Sequence, residues 1–216
     1  MKIAIPIIII ILILSVVGYF IFQIMQDDPQ YDFTQVYITN VNSNINTAPQ
    51  IEEPIFIEPI AEFQERITKK PFGIYITPDT SPIQPEKFSG YHTAVDVEYP
   101  YTISDVPVIA ISDGEVVASK TVSGYGGVVI IKHTINDNEE ILSIYGHLND
   151  DRSVDKNKYV KQGDVIGYLG KDKTKETDFE RRHLHFGIIK GDKINYHGYV
   201  DDENELENWY DPILFY

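Results

Sequence analysis

The sequence predicts a mostly β protein, an antiparallel sheet or sandwich, preceded by one N-terminal transmembrane helix. Three observations carry that expectation. From about residue 67 onward, short β-branched runs alternate with turn signals. No long stretch of that region shows a helical period. The chain opens on an uncharged apolar run, residues 3–25.

The opening run is mostly Ile, Leu, Val and Phe, and only Ser15 and Gln23 in it are clearly polar. About 20 such residues cross a bilayer core as a helix. Lys2 precedes the run and Asp27 and Asp28 follow it, which favours a cytoplasmic N-terminus and an extracytoplasmic remainder. A cleaved signal peptide has a shorter apolar core and a small-residue cleavage site, and Gln23-Ile24-Met25-Gln26 offers no such site. Residues 1–26 therefore read as a retained single-pass anchor. Residues 27–66 read as an extended juxtamembrane linker. Positions 40–47 are polar and without period, and 51–60 mix acidic, apolar and proline residues at a density that suits extended chain better than a sheet interior. Whether the Ile and Phe side chains of this linker pack along the domain is left open by the sequence.

The domain itself is expected over 67–216. Strands are predicted at 74–76, 106–110, 114–118, 128–132, 140–145, 165–169 and 184–189, with turns at 112–114, 124–127, 136–138 and 162–164. No internal repeat is visible. The chain's 216 residues suffice for one such domain plus the extra segments. The formal net charge of -15 argues against a nucleic-acid partner, which requires a basic footprint. The absence of cysteine excludes disulfides, lipoprotein acylation and thiolate metal sites. Any metal ligands must come from His, Asp and Glu.

Four of the six histidines fall into three short blocks: Tyr91-His92-Thr93-Ala94-Val95-Asp96, Tyr145-Gly146-His147-Leu148 and His183-Leu184-His185-Phe186-Gly187. Two residues apart on a strand, His183 and His185 face the same side roughly 6–7 Å apart, while Leu184 and Phe186 turn to the core. Taken alone, such a pair is as well explained by two surface histidines. His92 and Asp96 are four apart, and on a straight strand four residues span roughly 13 Å. If both serve one ion, the chain must bend between them, and Ala94 sits in the middle. His147 ends a predicted strand, and Gly146 before it permits unusual backbone angles and close approach. Alone, His147 reads as a solvated loop histidine. Together, His and Asp at these spacings can assemble one zinc site with a coordination position left open, the feature that separates a hydrolytic zinc from a structural one.

The three blocks, in this order, resemble those of the lysostaphin-type (LytM-like) zinc endopeptidases of bacterial cell walls. Those proteins carry a His-x-Gly-x-Asp block, a Tyr-x-His-Leu block and a His-Leu-His-Phe block. The resemblance runs from about Lys69 to Tyr216 and includes Lys70-Pro71-Phe72-Gly73, the segment Ala110 to Val117 with its Asp113-Gly114, Gly124-Tyr125-Gly126-Gly127, Val160-Lys161-Gln162-Gly163-Asp164 and Trp209-Tyr210-Asp211-Pro212. It implies a duplicated-hybrid-motif-like sandwich and one zinc ion held by His92, Asp96 and His185. It implies that His147 and His183 are the catalytic histidines beside that ion, and that the substrate is a peptide bond in the cross-links or stems of peptidoglycan.

Two departures stand out. Ala94 replaces the family's glycine, and if the bend needs a positive φ, alanine there costs about 1–2 kcal/mol. Residues 171–181 are bulky and charged where the family has a small Gly/Ser/Thr turn, so this loop is expected to line the groove and alter substrate preference. His133 and His197 read as an ordinary strand-end and an ordinary turn histidine. The acidic run Asn149 to Asp155 lacks the central Gly and terminal Glu of a calcium loop. Two other readings compete with an active peptidase. One is a silent relative that binds the wall or activates other wall enzymes, although silent relatives usually lose ligands and all five residues are kept here. The other is a lipoyl-like adaptor, suggested by residues 160–166, which leaves the histidines unexplained.

Overall fold

The computed structural model describes residues 56–216 except 103 and 136–138. The expected membrane anchor, most of the linker and the expected 136–138 turn lie outside the described residues. Among the described residues no helix is long and apolar enough to cross a membrane. Among the described residues there are twelve strands: β1 Tyr75–Ile76, β2 Gly90–His92, β3 Val95–Glu98, β4 Pro107–Ile109, β5 Gly114–Val122, β6 Gly126–Thr134, β7 Glu140–Leu148, β8 Tyr159–Val160, β9 Val165–Tyr168, β10 His183–Lys190, β11 Tyr199–Val200 and β12 Trp209–Tyr210. The described helices are short 3-10 turns, in keeping with the missing helical period.

Every pairing among the described strands is antiparallel. The principal sheet runs β12-β10-β7-β6-β5-β8. Strand β7 takes one edge of β10, and the other edge is divided between β3, opposite His183 to Phe186, and β12, opposite Ile188 and Ile189. A small sheet β1-β2-β11 and the pair β4-β9 complete the fold.

The central strands are apolar on both faces, which explains why 128–131 reads as an unbroken Val-Val-Ile-Ile run rather than an alternation. Val129, Ile131, Ile141, Tyr145, Leu184, Phe186 and Ile188 enter one core cluster. Val128, Ile130, Leu142, Ile144 and Ile189 enter a second cluster on the opposite face. By the two-residue alternation, His183 and His185 lie on the second face, toward β2 and β11. The first core is also where the described end of the linker goes. Phe56, Ile60 and Phe63 are buried in it, and Phe63 meets Phe186 edge-on at 5.7 Å. The question left open by the sequence is thereby answered for these three residues.

Candidate metal centre

The site is assembled by a corner and two strands. Strand β2 ends at His92, the backbone bends at Thr93 and Ala94, and β3 begins at Val95. The bend carries the chain from the small sheet into the principal one, which is how residues four apart come to share a site. Ala94 does not take a positive φ among the described residues that do. Its methyl is fully buried and sits 3.3 Å from where a Cβ on Gly187 would lie. The corner therefore suits alanine without backbone strain. Register then puts Asp96 directly opposite His185, and Gly146 on the other side of His185.

His147 arrives by a different device. Strands β6 and β7 pair Val128 with Gly146 and Gly127 with Leu148, so His147 is the extra residue of a bulge. Regular alternation would turn it to the Tyr145 face, away from His185. Instead it holds φ 63°, and its ring lies 4.2 Å from that of His183. The unusual angle expected near Gly146 thus falls on His147 itself. Gly146 serves the close approach: a Cβ there would lie 2.5 Å from the Tyr125 ring.

Three donor atoms face one another at nearly equal distances. His92 Nε2 is 3.2 Å from His185 Nδ1, His185 Nδ1 is 3.2 Å from Asp96 Oδ1, and His92 Nε2 is 3.3 Å from Asp96 Oδ1. Donors about 2.0–2.1 Å from a tetrahedral ion are about 3.3–3.4 Å apart, so the triangle has the dimensions of three corners of such a site. Its chemistry agrees. His92 Nδ1 is 3.2 Å from the Pro71 carbonyl oxygen, which only accepts, so Nδ1 carries the proton and Nε2 presents its lone pair to the triangle. Three electron-rich atoms this close in a buried setting need a cation or a proton among them. The group is buried throughout and can hold a metal ion.

Each member is held from behind. His185 Nε2 lies 3.2 Å from the Tyr125 hydroxyl, and Asp96 Oδ2 accepts a 2.7 Å bond from Arg181 Nη2. Such outer partners fix ring orientation and carboxylate mode. Beside the triangle, His147 Nδ1 donates to the Thr177 carbonyl at 3.3 Å and His183 Nδ1 donates to the Arg181 carbonyl at 2.8 Å. His183 Nε2 is 3.4 Å from Asp96 Oδ2. All five residues singled out in the sequence therefore lie in one cluster.

The electrostatics match the donor arrangement. Burial works to raise the Asp96 carboxyl, but His183, His92 and Arg181 outweigh it and hold Asp96 well below the usual carboxylate range. Burial, with His183 and His185 nearby, keeps His147 neutral with a pKa well below its ordinary value. Burial lowers His185 to about 4 against the pull of Asp96. Burial also raises Tyr125, which stays a neutral phenol.

A cavity of about 300 Å³ opens on Asp96, His147, His183 and His185, walled by Phe88, Tyr125, Tyr196, Tyr199, Glu180 and Arg181 among others. Glu180 and Arg181 belong to the bulky 171–181 loop, which does line the groove. Lys70 is buried in the wall and donates to Glu86 and to the Tyr199 hydroxyl. The supporting residues Arg181, Tyr125, Lys70 and Tyr199 were not singled out for a site role in the sequence. Tyr125 lies inside a recognised glycine-rich segment and Arg181 inside the departing loop, but neither position announces its partner. His133 is a satisfied core histidine, with Nδ1 2.8 Å from the Asp113 carbonyl oxygen and Nε2 2.7 Å from Ser143 Oγ. His197 is exposed at the groove rim, where its carbonyl accepts from Thr93 Oγ1.

Residues 90–196 match the model of Peptidase family M23. Murein hydrolase activator NlpD of Escherichia coli (strain K12) is 40% identical over 90 residues, which cover 41% of this chain and 21% of that protein. Lipoprotein NlpD of Yersinia enterocolitica is 37% identical over 91 residues, covering 41% of this chain and 84% of that protein. The chain thus spans about a fifth of the length of the murein hydrolase activators that it matches (21%). The catalytic domain of lysostaphin from Staphylococcus simulans aligns with a TM-score of 0.46 at 25% identity, over 70% of this chain and 95% of that domain.

Proposed function

The chain belongs to peptidase family M23, and from that premise we propose a membrane-anchored zinc endopeptidase that hydrolyses peptide bonds in the cross-links or stem peptides of peptidoglycan. The observation that carries the reading is the 3.2–3.3 Å triangle of His92 Nε2, Asp96 Oδ1 and His185 Nδ1. Those three atoms would hold the ion. Bound there, zinc supplies Lewis acidity, polarising a peptide carbonyl and lowering the pKa of water to about 7. His147, neutral and with its lone pair at Nε2, takes a proton from the attacking water. His183, with Nδ1–H fixed on the Arg181 carbonyl and Nε2 3.4 Å from Asp96 Oδ2, would steady the developing oxyanion in its imidazolium form through Nε2–H, while the proton that His147 took from the water passes from His147 to the leaving amine. Phe88 and Tyr196 in the cavity wall exclude water around the scissile bond. The anchor at residues 1–26 would place the domain outside the cytoplasm.

One observation favours a second reading, a wall-binding activator of other hydrolases: the curated relatives in the same family include proteins named as murein hydrolase activators. The five intact histidine and aspartate positions favour hydrolysis. The deciding experiment is metal analysis followed by wall digestion. One zinc per chain is expected, lost in His185→Ala and Asp96→Ala, while His183→Ala keeps the metal and loses digestion. A natively purified chain without metal would overturn the enzymatic reading. Full biological activity in His183→Ala would favour the activator.

A further inference from the structure

We infer that Arg181 is a positioning residue that fixes how Asp96 meets the cation and couples that grip to His183. The inference rests on the metal reading above. Its basis is a set of contacts converging on one side chain. Nη2 of Arg181 donates to Asp96 Oδ2 at 2.7 Å and to Glu98 Oε1 at 2.7 Å. Nε donates to Glu98 Oε1 and Oε2 at 3.0 and 3.1 Å. The carbonyl of the same residue accepts from His183 Nδ1 at 2.8 Å. Arg181 therefore touches the carboxylate of the triangle with its side chain and the neighbouring imidazole with its backbone.

The consequence for Asp96 follows from atom count. A carboxylate can bind a cation through one oxygen or both. Here Oδ2 is taken by the guanidinium and faces His183 Nε2 at 3.4 Å, while Oδ1 faces His92 and His185 at 3.3 and 3.2 Å. Asp96 is thus restricted to one-oxygen ligation, which leaves a coordination position for water and substrate. Glu98 explains why the group is arginine. It lies two residues beyond Asp96 on β3, opposite His183, and is buried. Clamped on Glu98, the planar fork cannot swing away from Asp96. A lysine supplies the charge but not the two-directional geometry. A buried ion pair is in itself poor evidence of stabilisation, which makes a specifying role the better account of this cluster.

The test uses the full chain in detergent, with zinc and cobalt(II) as probes. Arg181→Lys retains folding by circular dichroism, and its zinc affinity falls about tenfold or more, the range typical for outer-sphere partners of metal ligands. Its cobalt(II) visible band weakens as a four-coordinate ion gains the second oxygen of Asp96. Glu98→Gln, which leaves an acceptor for Nε, keeps affinity within about threefold. Arg181→Lys with wild-type zinc affinity and an unchanged cobalt spectrum would overturn the inference, as would Glu98→Gln weakening zinc as much as Arg181→Lys. X-ray absorption on the unaltered zinc-loaded chain decides the matter without any variant: one carboxylate oxygen in the first sphere is expected, and two would refute it. A wild-type chain that takes up neither metal removes the zinc reading itself, and this inference with it, and that outcome is distinct from the others.

Discussion

At the scale of single residues, the site depends on rings and carboxylates being aimed rather than merely present. His147 reaches the groove because it is the odd residue of a bulge with φ 63°. His185 presents Nδ1 because Nε2 is engaged by the Tyr125 hydroxyl. Tyr125→Phe keeps the ring that packs 5.0 Å from His185 and removes only the hydroxyl. Zinc affinity is expected to fall about tenfold, read by competition with a chromophoric chelator; affinity within twofold of wild type would show that the hydroxyl does not hold the ring. A second prediction concerns pH. Burial lowers His185 to about 4, and His147 is also held well below its ordinary value. The unfolded chain protonates His185 near pH 6.5, but the metal-free folded chain does not until near pH 4. Between those values the unfolded state binds more protons, so stability falls as pH falls. The His185 shift alone amounts to roughly 3 kcal/mol across that window. Melting of chelator-treated protein from pH 7 to pH 4 checks this, and a midpoint independent of pH there would contradict it.

At the scale of elements, the described end of the linker is part of the fold. Phe63 is fully buried against Phe186 and Tyr216, and Phe56 packs 5.0 Å from Phe215. Phe63→Ala is expected to cost about 3–5 kcal/mol, measured by denaturant unfolding. A chain cut to begin at residue 67 loses Phe56, Ile60 and Phe63 together, a large share of a typical margin of about 5–15 kcal/mol. A fragment 67–216 that melts like a fragment 52–216 would refute that assignment. The sequence could not reveal this packing, because proline-broken Ile and Phe residues have no period and read the same against a core or in water. The long strands were legible for the opposite reason: 128–132 and 184–189 carry dense β-branched or alternating patterns between glycine turns. The two- and three-residue strands β2, β8, β11 and β12 were not, since so few positions make no pattern and tertiary partners decide them. At the site, histidine spacing pointed to the cluster, and the need for a bend at Ala94 followed from reach alone. Arg181 and Tyr125 stayed hidden because an orienting partner is defined by where its tip ends up in space.

At the scale of the whole molecule, the formal net charge of -15 bears on how the chain meets its proposed substrate. An intact cell wall, the proposed substrate, is itself anionic, so a chain this acidic would approach it against repulsion. The two like-charged surfaces would oppose each other at long range, and that long-range field is what salt screens. The Debye length falls from about 30 Å at 0.01 M to about 8 Å at 0.15 M ionic strength. The cavity chemistry is shielded from this effect, because Asp96, His147, His183 and His185 are nearly or fully buried. Digestion of intact walls is therefore expected to rise several-fold over that range, through faster association. Cleavage of a short uncharged peptide by the same preparation should change little, since it meets no long-range field. The paired measurement separates a charge effect on encounter from a salt effect on the site. Wall digestion that falls with salt would mean that a local basic patch, not the net charge, governs docking, and equal salt responses for wall and peptide would place the effect in the groove instead.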